Sequence, residues 1–126
     1  MSEMINGYDF DWTEGENLVL CGASSYVEKY YFNEKFNLLP DEIKNELKII
    51  CVSFAEEAGG ILTMEFDKSG NLKFCVRVDD GDFYFDEIES GLKISSYQRK
   101  KEELLSQLEL FYRLVILGDS AESVSY

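Results

Sequence analysis

The hydrophobic period changes at Gly59-Gly60, and that change constrains the fold more than any other feature of the chain. Before it, Ile43, Leu47, Ile50, Cys51, Phe54, Ala55 and Ala58 recur at helical spacing and make one side of a helix apolar. Pro40 suits the first turn of that helix, and Asp41 and Glu42 suit its positive end. Gly59 and Gly60 stop it as a C-terminal cap would, so the spacing predicts a helix over 40–58. After the glycines the period is two. Leu62, Met64 and Phe66 share one face of "ILTMEFD", and Leu72, Phe74, Val76 and Val78 share one face of "NLKFCVRV". Gly70 in the intervening "DKSGN" can take the positive φ of a hairpin turn. Pairing Asp67 with Asn71 sets Phe66 opposite Leu72, Met64 opposite Phe74 and Leu62 opposite Val76. The same pairing sets Glu65 opposite Lys73 on the other face. One register that serves both faces specifies an antiparallel hairpin.

The stretch "VDDGDFYFDE" reads as a continuation of this meander. Asp80-Gly81 is a two-residue hairpin turn, and Val78 would meet Phe83 while Val76 meets Phe85. Upstream, "NLVLC" and "YVEKYYF" read as two strands joined by a turn at "GASS". Downstream, Ser95 and Gln98 have capping-box spacing. The helix they start carries Tyr97, Leu104, Leu105, Leu108, Phe111, Tyr112 and Val115 as its stripe and ends at Gly118. The order is ββαβββα: an α+β fold with an antiparallel sheet of about five strands and two helices on one face. Residues 1–16 form a leader, 17–118 a single domain and 119–126 a flexible tail. The outer sheet face, with Thr63, Glu65, Lys73, Arg77, Tyr84 and Asp86, is left for solvent or a partner.

Charge narrows the functional classes. Twelve Lys and Arg face twenty-five Asp and Glu, a formal charge of −13, which repels nucleic-acid phosphates and anionic membranes. The basic cluster Lys93, Arg99, Lys100 and Lys101 is mixed with Glu102 and Glu103 and reads as a solvated face. The N-terminus lacks the basic and apolar regions of a signal peptide. The three cysteines show neither disulfide nor zinc spacing, so the expectation is a cytoplasmic protein with reduced thiols.

The chain has no histidine, which removes the commonest general base and metal ligand. A calcium loop begun at Asp80 or at Asp9 lacks the required glycine and glutamate positions. Asp86 and Glu87 are adjacent, so on a strand they point to opposite faces. There is no glycine-rich phosphate loop, and the expectation is no metal and no cofactor. The one candidate for chemistry is Cys75, placed by the register on the outer face between Lys73 and Arg77, with Asp86 opposite.

The segments "NLVLCGASSYVEKYYFN", "LPDEIKNELKIICVSFAEEAGGILTMEFDKSGNLKF" and "DEIESGLKISSYQRKKEELLSQLELFYR" resemble a group of short acidic proteins of unknown function from anaerobic Gram-positive bacteria. The resemblance implies a single small domain and supplies no catalytic residue, substrate or partner. The reading is a non-catalytic protein-binding or adaptor module. Its alternatives are a thiol enzyme or redox sensor centred on Cys75, and an immunity protein that neutralises a basic toxin. Leu110, Leu114, Ile116 and Leu117 widen the apolar stripe of the second helix beyond what one sheet can cover. Together with Tyr84 they are the expected interaction surface. The stripe is covered by a second copy in a homodimer, or by the leader through Tyr8, Phe10 and Trp12.

Overall fold

In the computed structural model, which describes residues 2–118, three strands precede the first helix, and two more separate it from the last two helices. The strands are β1 (Ser2–Ile5), β2 (Leu18–Ser24), β3 (Lys29–Phe32), β4 (Ile61–Phe66) and β5 (Leu72–Asp79). The helices are α1 (Asp41–Ala58), α2 (Glu87–Lys100) and α3 (Glu102–Phe111). A short 3-10 turn spans Glu34–Phe36, and α3 ends in a π turn over Tyr112–Ile116. The tail expected over 119–126 lies outside the described residues.

The period change at the two glycines is realised as read. The chain leaves α1 through Gly59 at φ 82 and Gly60 at φ 74, a backbone region that a side chain strains. β4 and β5 then pair antiparallel with Phe66 opposite Leu72, Met64 opposite Phe74, Leu62 opposite Val76 and Glu65 opposite Lys73. The sheet order is β1-β5-β4-β2-β3, in which β5, β4, β2 and β3 are antiparallel neighbours. The turn between β2 and β3 falls after Ser24, so Gly22, Ala23 and Ser24 belong to the strand rather than to a turn.

The fifth strand is not the one expected. Asp80-Gly81 does turn the chain, with the Asp82 N–H donating to the Asp79 carbonyl at 2.9 Å. Residues 83–86 nevertheless do not return along β5. That edge is taken by β1, which pairs parallel with β5 from Ser2 opposite Val76 to Ile5 opposite Asp79. Asp86 instead caps α2, its carboxylate accepting from the N–H groups of Ile88 at 2.9 Å and Glu89 at 3.1 Å. The second helical region therefore begins at Glu87 rather than at Ser95, and it breaks at Lys101 (φ −112, ψ 21) into α2 and α3. Among the described residues three helices stand where two were expected, and residues 2–5 of the expected leader are part of the sheet.

One face of the sheet carries the main core. Leu62, Met64, Phe66, Val76 and Val78 meet Leu47, Ile50, Phe54, Leu104 and Leu108 there. Each fully buried aliphatic or aromatic side chain contributes about 1.5–3 kcal/mol relative to exposure. Phe66 stacks on Tyr112 at 4.3 Å between ring centroids. The π turn, closed by the Leu117 N–H on the Tyr112 carbonyl at 2.9 Å, shifts the phase of the helical stripe. Val115 consequently turns outward while Ile116 and Leu117 pack against the core.

The opposite face is covered too. Trp12 stacks on Tyr31 at 5.3 Å with the rings 8° from parallel, and Phe10 meets Trp12 edge-on at 5.0 Å. Gly22 permits this approach, since a Cβ there would stand 2.6 Å from the Trp12 ring and 2.6 Å from the Leu62 carbonyl oxygen. The N-terminal segment thus lies over the sheet and does not cover the end of the second helical region.

Candidate functional site

Two places collect the chemistry-bearing and contact-bearing side chains. The first is the outer face of β4 and β5 under Phe10. Thr63 and Glu65 are buried there. The Thr63 hydroxyl donates to Glu65 Oε2, and Arg77 Nη1 reaches Thr63 Oγ1 at 2.8 Å and Glu65 Oε2 at 2.9 Å. Asn17 Nδ2 approaches Glu65 Oε1 at 3.4 Å, and the Arg77 guanidinium sits over the Phe10 ring at 5.4 Å. A buried carboxylate is tolerable because a cation and a hydroxyl satisfy it. Two shallow clefts flank Arg77, one of 320 Å³ with Asn17, Lys73 and Cys75, the other of 380 Å³ with Asp9, Asp11 and Glu14.

Cys75 lies half-buried between Lys73 and Arg77, as the register requires. Burial, followed by the nearby Glu65 carboxylate, pushes its thiol up to about 11, and the two cations do not offset this. Lys73 is exposed and pairs with Asp67 at 3.6 Å. Asp86 is not opposite Cys75, because it caps α2. The thiol is therefore protonated near neutrality, and the carboxylate and guanidinium beside it are engaged with each other.

Cys21 and Cys51 are buried in the main core with their Sγ atoms 3.7 Å apart. The contact with Cys21, and burial, raise the Cys51 thiol well above its ordinary value. The acidic turn is structural. Asp79 accepts from the Gly7 N–H at 2.9 Å and the Gly81 N–H at 2.8 Å, while Asp82 accepts from the Tyr26 hydroxyl at 2.8 Å. Among the described residues, no group of three or more His, Cys, Asp or Glu is arranged to hold a metal ion. Among them also, no helix is long and apolar enough to cross a membrane.

The second place is the segment from Phe83 to Leu92. Phe83 is 87% exposed, Tyr84 97%, Ile88 78% and Leu92 62%. Phe85 points the other way, half-buried against Gly60. Ile88 and Leu92 are one helical turn apart and share a side of α2. Of the expected interaction residues, Tyr84 belongs to this patch. Leu110 and Leu114 are about half exposed at the far end of the helical region, joined there by Val115. Ile116 and Leu117 are packed against the core. Phe83, Ile88 and Leu92 were missed because the segment reads as a strand with Phe83 inward. The signal that finds them is Asp86 three residues before Glu89, an N-cap that ends any strand before it.

These features define an α+β domain whose reactive groups are tied into its own packing and whose unusual surface is apolar. Residues 17–120 match the family DUF6145, described as a family of unknown function, and the chain belongs to that family. No curated protein and no solved structure matches it.

Proposed function

We propose that the protein is a non-catalytic protein-binding module and that its binding surface is the Phe83–Leu92 segment. One observation carries this reading: four large apolar side chains, 62–97% exposed, lie within ten residues of chain. Apolar exposure of that density is uncommon on a monomer's surface and is characteristic of contact sites. The raised thiol of Cys75, which burial and Glu65 keep protonated, argues against the thiol-enzyme alternative. The test is capture from lysate of the native cells on immobilised protein, wild type against Phe83→Ser/Tyr84→Ser. Loss of specific bands in the double variant supports the reading. Bands that survive unchanged place the binding elsewhere and reject it.

Leu110, Leu114 and Val115 favour a second contact, self-association through the end of α3. This face is separate from the first, and the N-terminal segment leaves it uncovered.

A further inference from the structure

The Phe83–Leu92 segment and its flanks carry mainly one sign of charge. Asp80, Asp86, Glu87 and Glu89 are exposed within or beside it in the chain, and Asp82 is half-buried. Lys93, which follows Leu92 in the chain, is paired with Glu57 at 2.8 Å and with Glu89 at 3.7 Å. We infer that the patch docks a basic amphipathic helix, one whose apolar stripe lies along Ile88 and Leu92 and whose flanking Lys and Arg meet the segment's carboxylates. This rests on the protein-binding reading and names the chemistry of the partner.

Three observations select this occupant. Ile88 and Leu92 are one turn apart on α2, with Phe83 and Tyr84 exposed in the segment just before it, and a row with that spacing packs into the groove of another helix. The four side chains offer on the order of 500 Å², and the carboxylates extend this toward the roughly 800 Å² per partner of a stable interface. Finally, a second copy of this chain would bring two acidic segments together, and an acidic partner or an anionic lipid surface would meet the same repulsion. A basic partner alone gains from both the apolar side chains and the carboxylates.

The test uses two synthetic amphipathic helical peptides with the same leucine stripe, one with Lys and one with Glu on its polar face, titrated by calorimetry into the full chain. The Lys peptide is expected to bind and the Glu peptide not to. Asp80→Asn/Glu87→Gln/Glu89→Gln should weaken binding about tenfold, and Tyr84→Ser/Ile88→Ser should abolish it. Equal neutralisation on α1, Asp41→Asn/Glu42→Gln/Glu56→Gln, should leave it within about twofold, since charge alone at a distance is screened. If the α1 variant loses as much as the Asp80→Asn/Glu87→Gln/Glu89→Gln variant, the attraction is unspecific and the inference is overturned. If the Lys and Glu peptides bind alike, or neither binds, the basic class is wrong. Tyr84-dependent capture of a partner from lysate would then still stand for the binding module itself.

Discussion

Arg77 holds the outer face of the sheet together, with Thr63 and Glu65 at 2.8 and 2.9 Å and Phe10 at 5.4 Å. Removing the guanidinium leaves a buried carboxylate without its cation. Arg77→Met is expected to cost about 3–5 kcal/mol in urea denaturation. Adding Glu65→Leu removes the stranded charge, and the double variant should recover a clear part of the loss. A single variant within about 1 kcal/mol of wild type would show that the pair does not support the fold. The sequence shows Arg77 and Glu65 on one face but not facing, because Arg77 lies opposite Ile61 and Glu65 opposite Lys73. Their contact runs diagonally along the strands, which a long side chain allows and a register does not reveal. For Cys75 the two neighbouring cations were legible. Its burial and the reach of Glu65 were not, and these decide its pKa.

The turn from Asp79 to Asp82 is where the N-terminal segment is fastened, so its protonation and that segment's docking are linked. N–H groups of Gly81 and Gly7 hold the Asp79 carboxyl below its ordinary value of 3.8. A carboxyl depressed on folding contributes stability above its unfolded pKa and loses it as the pH falls through the folded value. Trp12, the one tryptophan, stacks on Tyr31 and reports the docking directly. Its emission should move to the red below about pH 3.8, before the far-ultraviolet dichroism of the helices is lost. Asp79→Asn should show the red-shifted emission already at neutral pH. Asp11, also held low, by the Thr13 hydroxyl and N–H, is checked separately with Asp11→Asn. Unaltered emission in Asp79→Asn would break the link. At this scale, α1 and the β4–β5 hairpin were legible because helical period, caps and both sheet faces agree. β1 was not, since four residues pairing in parallel with a strand some seventy positions away leave no local mark. The start of α2, before Ser95, was missed because "DFYFDE" alternates like a strand, although Asp86 caps the helix there and β1 already occupies the edge of β5. The π turn has no composition of its own, so Val115 was assigned to the stripe and Leu117 to the surface.

The formal charge of −13 makes ionic strength the variable that separates the two proposed contacts. Raising salt from 0.01 to 0.15 M shortens the screening length from about 30 to about 8 Å. Docking of a basic helix on the Phe83–Leu92 patch gains from opposite charge, so salt weakens it. Self-association through Leu110, Leu114 and Val115 brings two acidic chains together, so salt relieves repulsion and strengthens it. Multi-angle light scattering should therefore show a dimer fraction that grows with salt in the wild type. Leu114→Glu should give a monomer at every salt concentration with an unchanged far-ultraviolet spectrum, because Leu114 is about half exposed and takes no part in the core. A wild type that stays monomeric at high concentration and 0.15 M salt rejects self-association. A dimer that Leu114→Glu leaves intact assigns the contact to another face, and the edge of β3 becomes the next to test.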